Sequence, residues 1–294
     1  MVLQNYLRAS RSLSKFVSLG DMRESTANSR IVSKLLDISC DSESTVDQIY
    51  ASALAAIAPS KPLILVQGGS LPKKSRLSGA KVIDFELGKF PVTVEEWNWV
   101  QKWALANHFD IQVDVQGAPQ NPAAGISWYD CVLWCNAKSV LEGLEPAYNL
   151  KDRRDFYAIG EFKDGGEESL VLLPDADGYR LPTQAEWEWA ARGGSNSQHY
   201  TFAGSNTLHE VGWYLETSNG SPHCVGEKMP NELGLHDMSG NVLEWCWDKI
   251  TDSIRTLCGG SWKSNATECD INHRFFVDPS DRNINNGFRL ARSI

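Results

Sequence analysis

The pattern of apolar and polar positions divides the chain near residue 60. Before that point, two stretches have apolar residues at helical spacing and several alanines. Pro59 and Pro62 end this pattern, because proline lacks an N–H donor and restricts the backbone of the residue before it. The sequence therefore predicts a small helical N-terminal segment at residues 1–60 and a larger domain at 61–294.

Three helices are predicted in the larger domain from the way each begins. A Ser or Thr is followed three positions later by an acid, so that the hydroxyl accepts from a free backbone N–H and the carboxylate accepts from the N-cap N–H. The pairs are Thr93 with Glu96, Ser127 with Asp130, and Thr183 with Glu186. We predict helices near residues 94–107, 128–142 and 184–192.

The rest of the domain has little regular pattern. LILVQGG and VIDFELGKF are typical of short strands, and later stretches are interrupted by Gly, Asn and Pro. All eleven tryptophans lie beyond residue 60. Tryptophan buries a large apolar body and needs a partner for its N–H, so the pattern predicts coil packed around a Trp-rich core. A carbohydrate-binding or cation-binding role is the alternative for some of these rings.

Charge and hydropathy exclude two classes of partner. The net charge is −9, and residues 1–60 contain six basic and six acidic side chains, so the acidic excess belongs to residues 61–294. An acidic domain is a poor match for a phosphate backbone, and we expect no nucleic-acid binding. No run approaches the roughly 18 apolar residues that a membrane span requires. The N-terminal stretch also lacks the apolar run of a secretion signal.

The seven cysteines do not form a recognisable disulfide framework. Their number is odd, and their spacing is irregular. Cys131 and Cys135 are close enough for a zinc site, but no second pair follows at ligand spacing. We predict that most of the cysteines are small buried apolar residues.

Three motifs, in order, give the chain a specific resemblance. RLPTQAEWEWAARGG, GLHDMSGNVLEWCWD and GGSW followed by NGFRLAR resemble the formylglycine-generating-enzyme family, also called the sulfatase-modifying-factor family, over roughly residues 61–294. The resemblance implies an α+β fold of the C-type-lectin-like type, formylglycine-generating-enzyme subtype, with much irregular coil.

The resemblance also bears on catalysis. Members that oxidise cysteine use two cysteines after the GGS-aromatic motif, and two thiolates suit a soft copper ion. Ser264 and Cys269 stand at these positions, so one thiolate is missing, and Cys258 is out of register. Other members ligate iron with several histidines, but none of the six histidines here is paired at ligand spacing. The interpretation is a protein without a catalytic site or metal. A family oxidase or oxygenase with an altered metal site around Cys269 is the alternative.

The last 36 residues have a further resemblance, to the variable region of diversity-generating-retroelement proteins of the Treponema variable protein type. In such regions a fixed framework alternates with positions diversified through adenine-directed mutation. The framework implied here includes GGSW, Ala266, Cys269, Arg274, Pro279, Arg282 and GFRLAR with Arg289. The candidate ligand-binding positions are Trp262 at the edge, then Lys263, Ser264, Asn265, Thr267, Glu268, His273, Phe275, Phe276, Val277, Asp278, Ser280, Asp281, Asn283, Ile284, Asn285 and Asn286.

Side-chain chemistry agrees with this division. Arginine offers five donors to unpaired carbonyls and proline fixes one dihedral angle, so both can hold an irregular backbone. The segments FFVD and NINN between them follow no periodic pattern, which suits exposed loops. The alternative is that Phe275 and Phe276 fill the core. Adenine mutation of an Asn codon cannot give Lys or Glu, so Lys263 and Glu268 either come from another codon or do not vary.

The sequence therefore predicts a monomeric, non-catalytic protein whose variable segment, residues 259–292, binds a macromolecular ligand, most simply a protein. The resemblance implies display at a cell surface, with the signal and anchor absent from this chain, and a cytoplasmic location is the alternative. A structural Ca²⁺ near Asn241 and Glu244 is a further expectation, because both offer hard oxygen donors beside glycine. Calcium-dependent sugar binding is a weaker idea, because the EPN and QPD triplets of true lectins are missing.

Overall fold

The structure is a computed structural model that describes residues 61–107, 109–149, 170–251 and 253–294. The predicted helical segment at residues 1–60 lies outside this part of the chain. No helix among the described residues is long and apolar enough to cross a membrane.

The three predicted helices are confirmed. They are α1 (Val94–Ala106), α2 (Trp128–Leu141) and α3 (Gln184–Ala191), and each has its hydroxyl and its acid bonded to the backbone in both directions. A fourth, very short helix, α4 (Leu208–Val211), has no side-chain cap and was not predicted. Reciprocal capping thus fixes where each of the longer helices begins.

Strands from both ends of the domain build the first sheet. Its order is β1 (Leu63–Val66), β4 (Phe85–Gly88), β12 (Ala291–Ser293) and β7 (Tyr179–Arg180), with all neighbours antiparallel. Because β12 lies between β4 and β7, the C-terminus of the chain is held in the middle of this sheet.

The second sheet carries the C-terminal segment. Its order is β10 (Arg274–Val277), β9 (Ile254–Cys258), β8 (Leu243–Thr251) and β11 (Asn286–Gly287). Strand β11 runs parallel to β8, and the other neighbours are antiparallel. Two smaller pairs complete the strands: β2 (Gly69–Ser70) with β3 (Lys81–Val82), and β5 (Tyr148–Asn149) with β6 (Val171–Leu172).

Tryptophans dominate the interior, as the sequence predicts. Seven of the eleven are buried, and Trp97, Trp128, Trp134, Trp187 and Trp245 are fully enclosed. Two of these rings donate to distant carbonyls: the Trp128 ring N–H to that of Cys246, and the Trp245 ring N–H to that of Ile126. These bonds connect α2 and the residues just before it to β8 of the second sheet.

The cysteines follow the same logic. Five of the six in the described residues are buried, and Cys224 is partly exposed. Cys246 and Cys258 bring their sulfur atoms within 3.5 Å across β8 and β9. For these five, the prediction of small buried residues is confirmed; Cys40 lies outside the described residues.

Candidate ligand-contact surface

The C-terminal segment, residues 259–292, forms two loops on either side of β10. Gly259 and Gly260 both have positive φ and turn the chain out of β9. A side chain at Gly260 would meet the Cys269 sulfur and the neighbouring backbone within 3.0 Å. Only glycine therefore allows this close return of the chain.

Arg289 anchors the end of the segment from inside the core. It is fully buried and pairs with Glu244 through two hydrogen bonds, of 2.6 and 2.7 Å. It also donates to the carbonyls of Gly88 and His236. The Trp187 ring N–H donates to the same carboxylate at 2.7 Å. One arginine thus joins β4, β8 and an irregular stretch of coil.

Arg274 does similar work at the start of β10. It is buried, donates to the carbonyls of Ile271 and His273, and contacts Glu188 of α3 at 2.6 Å. Its guanidinium also lies over the Trp187 ring, 5.8 Å from the centroid. Arg274 therefore ties the turn before β10 to α3.

The loop after β10 is tied to the beginning of α2. Arg282 forms two hydrogen bonds with Asp130, the acid of that helix's capping box. The backbone N–H of Trp128 donates to the Pro279 carbonyl at 3.0 Å. Four residues of the proposed framework thus make contacts that position the segment: Arg274, Pro279, Arg282 and Arg289.

Eight of the seventeen candidate ligand-binding positions are exposed at the surface. Phe276 is 50% exposed and Ile284 is 59% exposed. Neither side chain belongs to a buried hydrophobic cluster. The exposed positions are Lys263, Asn265, Thr267, Phe276, Asp278, Ser280, Asn283 and Ile284.

Five further positions are half-buried: Glu268, His273, Phe275, Val277 and Asp281. Phe275 and Val277 pack against the main hydrophobic core, and the Phe275 ring lies 4.7 Å from the ring of His273. Glu268 is the acid of a capping box that begins at Asn265. These residues contribute to the scaffold as well as to the rim of the surface.

Four candidate positions are buried, contrary to the surface role expected for them. Trp262 is 8% exposed, Ser264 5%, Asn285 9% and Asn286 1%. Asn286 lies in β11 beside β8, and its side chain donates to Asp281. Asn285 donates to the Ser261 hydroxyl. Both asparagine amides thus bond to side chains of the segment itself, and because all four positions are buried, a ligand has no direct access to them in this arrangement.

One exposed neighbour of the surface escaped the sequence interpretation. Leu215 is 59% exposed, and its N–H donates to the Ser264 carbonyl at 3.0 Å. Close by, the Ser218 hydroxyl donates to the Trp262 carbonyl. This loop is far from the C-terminal segment in sequence, and no pattern in VGWYLETSNG marks it as a contact.

Ser264 and Cys269, the positions that the resemblance assigns to two catalytic cysteines, do not fit a copper ion. Cys269 is fully buried, and burial, with a smaller contribution from Glu268, raises the pKa of its thiol to about 12. Ser264 supplies a hydroxyl whose neighbour is the Ser261 hydroxyl at 3.3 Å. A neutral thiol and a hydroxyl are a poor donor set for a soft metal.

Other metal sites have no better basis in the described part of the chain. It contains no group of three or more His, Cys, Asp or Glu side chains placed to hold a metal. Glu244 gives both carboxylate oxygens to Arg289 and Trp187, and the Asn241 side-chain oxygen accepts from the His223 N–H. Calcium binding stays a prediction, and calorimetric titration with Ca²⁺ would test it.

The buried carboxyl group of Asp237, whose side chain lies within hydrogen-bond distance of Asn241, makes the stability of the fold depend on pH. Burial raises the pKa of Asp237 to about 6, against a hydrogen bond from the Gly226 N–H that lowers it. The folded chain then holds this proton more tightly than the unfolded chain, where the pKa is about 3.9. The protonated carboxyl of Asp237 therefore makes its full contribution to the free energy of unfolding below about pH 4, and this contribution is lost as the pH rises through about 6.

As the pH rises from about 4 to about 6, we therefore expect the free energy of unfolding to fall less in the Asp237→Asn variant than in the parent chain. Asparagine also suits the positive φ of 58° at this position. Chemical unfolding of both proteins across the pH range is the measurement. Parallel curves for the two proteins would show that the pKa of Asp237 is not raised.

Comparison with known proteins gives the context of this surface. The family model described as sulfatase-modifying factor enzyme 1-like domain matches residues 54–294. A chaperone protein, LppX, from Paenibacillus barcinonensis is 33% identical over 80% of this chain and 90% of that protein. The inactive C-alpha-formylglycine-generating enzyme 2 of Bos taurus is 34% identical over 39% of this chain and 44% of that protein.

Two solved structures share the fold over nearly their whole length. CarF superposes with a TM-score of 0.70 and 27% identity, covering 81% of this chain and all of that one. Treponema denticola variable protein 1 has a TM-score of 0.64 and 29% identity, covering 80% of this chain and 96% of that one. The prediction of an α+β, C-type-lectin-like fold of the formylglycine-generating-enzyme subtype is confirmed.

Proposed function

The chain belongs to the sulfatase-modifying factor enzyme 1-like family, and from this premise we propose that it is a non-catalytic binding protein. Its contact surface is formed by the exposed positions of the C-terminal segment, and its ligand is a protein. The observation that carries the proposal is the division within that segment. Arg274, Arg282 and Arg289 each pair with a carboxylate of the fold, while Phe276 and Ile284 project from it.

Apolar side chains at the surface are suitable anchors for a protein ligand. Phe276, Ile284 and the neighbouring Leu215 are each at least half exposed. A few large side chains surrounded by polar ones supply most of the energy of a protein interface. Exposed polar residues such as Asn265 and Asn283 would form the rim. Likeness to a variable protein over most of both chains supports a surface whose side chains differ between variants.

Metal binding separates this proposal from an oxidase with an altered site. We expect the purified chain to take up no stoichiometric Cu(I) in competition with a moderate chelator. Ser264→Cys should gain Cu(I) affinity by at least about tenfold, because it supplies the missing second thiolate. The binding is read from chelator absorbance, and Ser264→Ala is the matched control. Tight equimolar Cu(I) binding by the parent chain would contradict the proposal.

A chaperone role is the second candidate, favoured by the extent of the match to the Paenibacillus protein. Exposed apolar side chains could then hold non-native polypeptides instead of one folded ligand. The two candidates differ in a light-scattering assay with a chemically unfolded model protein. Suppressed aggregation that disappears in the double variant Phe276→Thr, Ile284→Asn would favour the chaperone role.

We also propose that the surface is presented outside the cell, as the likeness to variable proteins suggests. Protease treatment of intact producing cells tests this, with a cytoplasmic protein as the control. Cleavage of this chain without cleavage of the control is the expected result.

A further inference from the structure

Strand β10 is an outer strand of the second sheet in the described part of the chain. Strand β10 pairs with β9 on one side, and no other described strand lies on its second side. We propose that this edge binds an extended segment of the protein ligand, which adds to the sheet through backbone hydrogen bonds. The inference rests on the proposed binding function and specifies how the ligand is held.

The direction of the backbone groups in β10 follows from the order of the sheet. The Leu243 N–H donates to the Asn285 carbonyl and the Trp247 N–H donates to the Pro182 carbonyl, both on the side of β8 away from β9. Because N–H groups alternate along a strand, Glu244 faces β9, where it is paired with Cys258.

The same alternation continues through β9. The backbone N–H and C=O groups of Cys258 face β8. Those of the next residue, Leu257, therefore face β10, where the paired residue is Phe275. Arg274 and Phe276 therefore direct their N–H and C=O groups outward. Outside the pairing of β10 with β9, no backbone hydrogen bond to Arg274 or Phe276 is found among the described residues.

An edge of this composition favours pairing with another chain. Phe275, Phe276 and Val277 have high β propensity, and a bare edge strand presents a row of unpaired donors and acceptors. Strand β10, with the sequence RFFV, contains neither proline nor lysine. Addition of a strand at such an edge is a general mode of peptide recognition, with side-chain pockets supplying specificity.

Charge around the edge indicates the chemistry of the segment. Asp270 precedes β10 and Asp278 follows it, and neither forms an ion pair among the described residues. Two arginines of this region are engaged with carboxylates of the fold: Arg274 with Glu188, which Arg192 also contacts, and Arg282 with Asp130. Lys263 is the exposed cation in the preceding loop. We therefore expect an extended segment with apolar residues at alternating positions and basic residues at its ends.

The test compares two substitutions at one position. Short linear peptides are selected from a displayed random library on the parent chain, and their affinities are measured by fluorescence polarisation. Phe276→Thr removes the ring but keeps the outward N–H, whereas Phe276→Pro removes both. Proline is tolerated on the outer side of an edge strand, so the bonds to β9 survive. Phe276→Pro should bind the selected peptides about tenfold more weakly than Phe276→Thr.

The outcomes separate the two levels of the argument. Equal affinities of the two variants, both below the parent, would overturn strand addition and leave the contact surface in place. Equal affinities of both variants and the parent would overturn the contact surface at Phe276 as well. Selected peptides without basic residues or alternating apolar residues would contradict the assigned chemistry.

Hydrogen exchange gives a readout that does not depend on folding of the proline variant. In the parent chain, a saturating selected peptide should slow exchange at the amides of Arg274 and Phe276 by at least about tenfold. The amide of Val277, bonded to β9, should change little. Protection by self-association at high concentration without peptide would instead identify a second copy of the chain as the occupant, and would overturn the proposal.

Discussion

Replacing Arg289 with alanine is expected to lower the free energy of unfolding by about 3–5 kcal/mol, because it leaves a buried carboxylate without its partner. Glu244 and Arg289 are both fully buried, and the arginine also bonds two backbone carbonyls. Removal of the guanidinium leaves Trp187 as the remaining described donor to Glu244. Urea unfolding monitored by tryptophan fluorescence measures the loss.

Arg282 offers the matched control within the same segment. It also pairs with a carboxylate, but its side chain is 45% exposed, and Asp130 keeps hydrogen bonds from the N–H and hydroxyl of Ser127. Because the arginine is half exposed and buried Asp130 keeps these other donors, Arg282→Ala should cost about 1 kcal/mol, well below the loss for Arg289→Ala. Similar losses for the two variants would mean that the framework arginines do not differ in the way their burial indicates.

A conservative change at position 289 adds a second check. Lysine keeps the positive charge but lacks the planar fork that donates to Glu244 and to two carbonyls at once. Arg289→Lys should therefore fall between the parent chain and the alanine variant. Full retention of stability would show that charge alone, and not the hydrogen-bond geometry, is what Glu244 requires.

Local signals in the sequence predicted the helices and the framework well. Each capping box joins residues three positions apart, so the pairs Thr93–Glu96 and Ser127–Asp130 can be recognised without knowledge of the fold. The role of Arg274 was also foreseeable in kind, since an arginine in irregular coil commonly bonds carbonyls. Its actual acidic partner, Glu188, lies on α3 and could not be predicted from spacing.

The surface was predicted less accurately because burial in coil depends on distant contacts. Asn283 and Asn286 stand in the same NINN stretch, yet Asn283 is exposed and Asn286 is enclosed by the pairing of β11 with β8. Ser264 is also buried, and its backbone carbonyl accepts a hydrogen bond from the N–H of Leu215, a residue far away in sequence. A pattern of alternating polar and apolar residues contains no information about such contacts.

Strand β10 shows a third kind of limit. The stretch Phe275, Phe276, Val277 is apolar throughout, so its sequence does not reveal which side chains face the core. Contacts outside the strand decide this: Phe275 packs against the main hydrophobic core, whereas Phe276, the next residue along the strand, is 50% exposed. The two alternatives for these phenylalanines, surface contact and core packing, thus apply to different residues of the same strand.

Paired double variants in this region should separate the contact surface from its support. Phe276→Thr with Ile284→Asn changes two exposed side chains, and we expect a loss of less than about 1 kcal/mol. Phe275→Thr with Val277→Thr changes two side chains that pack against the core, and should cost about 2–4 kcal/mol. Threonine keeps β propensity in the strand, so the difference between the variants reports burial.

Thermal unfolding of the two double variants beside the parent chain is the measurement. A midpoint close to the parent for the exposed pair, together with a clear decrease for the packed pair, is what a substitution-tolerant binding surface on a rigid strand requires. A large loss for the exposed pair would mean that Phe276 or Ile284 stabilises the fold. The segment could not then vary freely at those positions, and its role as a changeable contact surface would have to be abandoned.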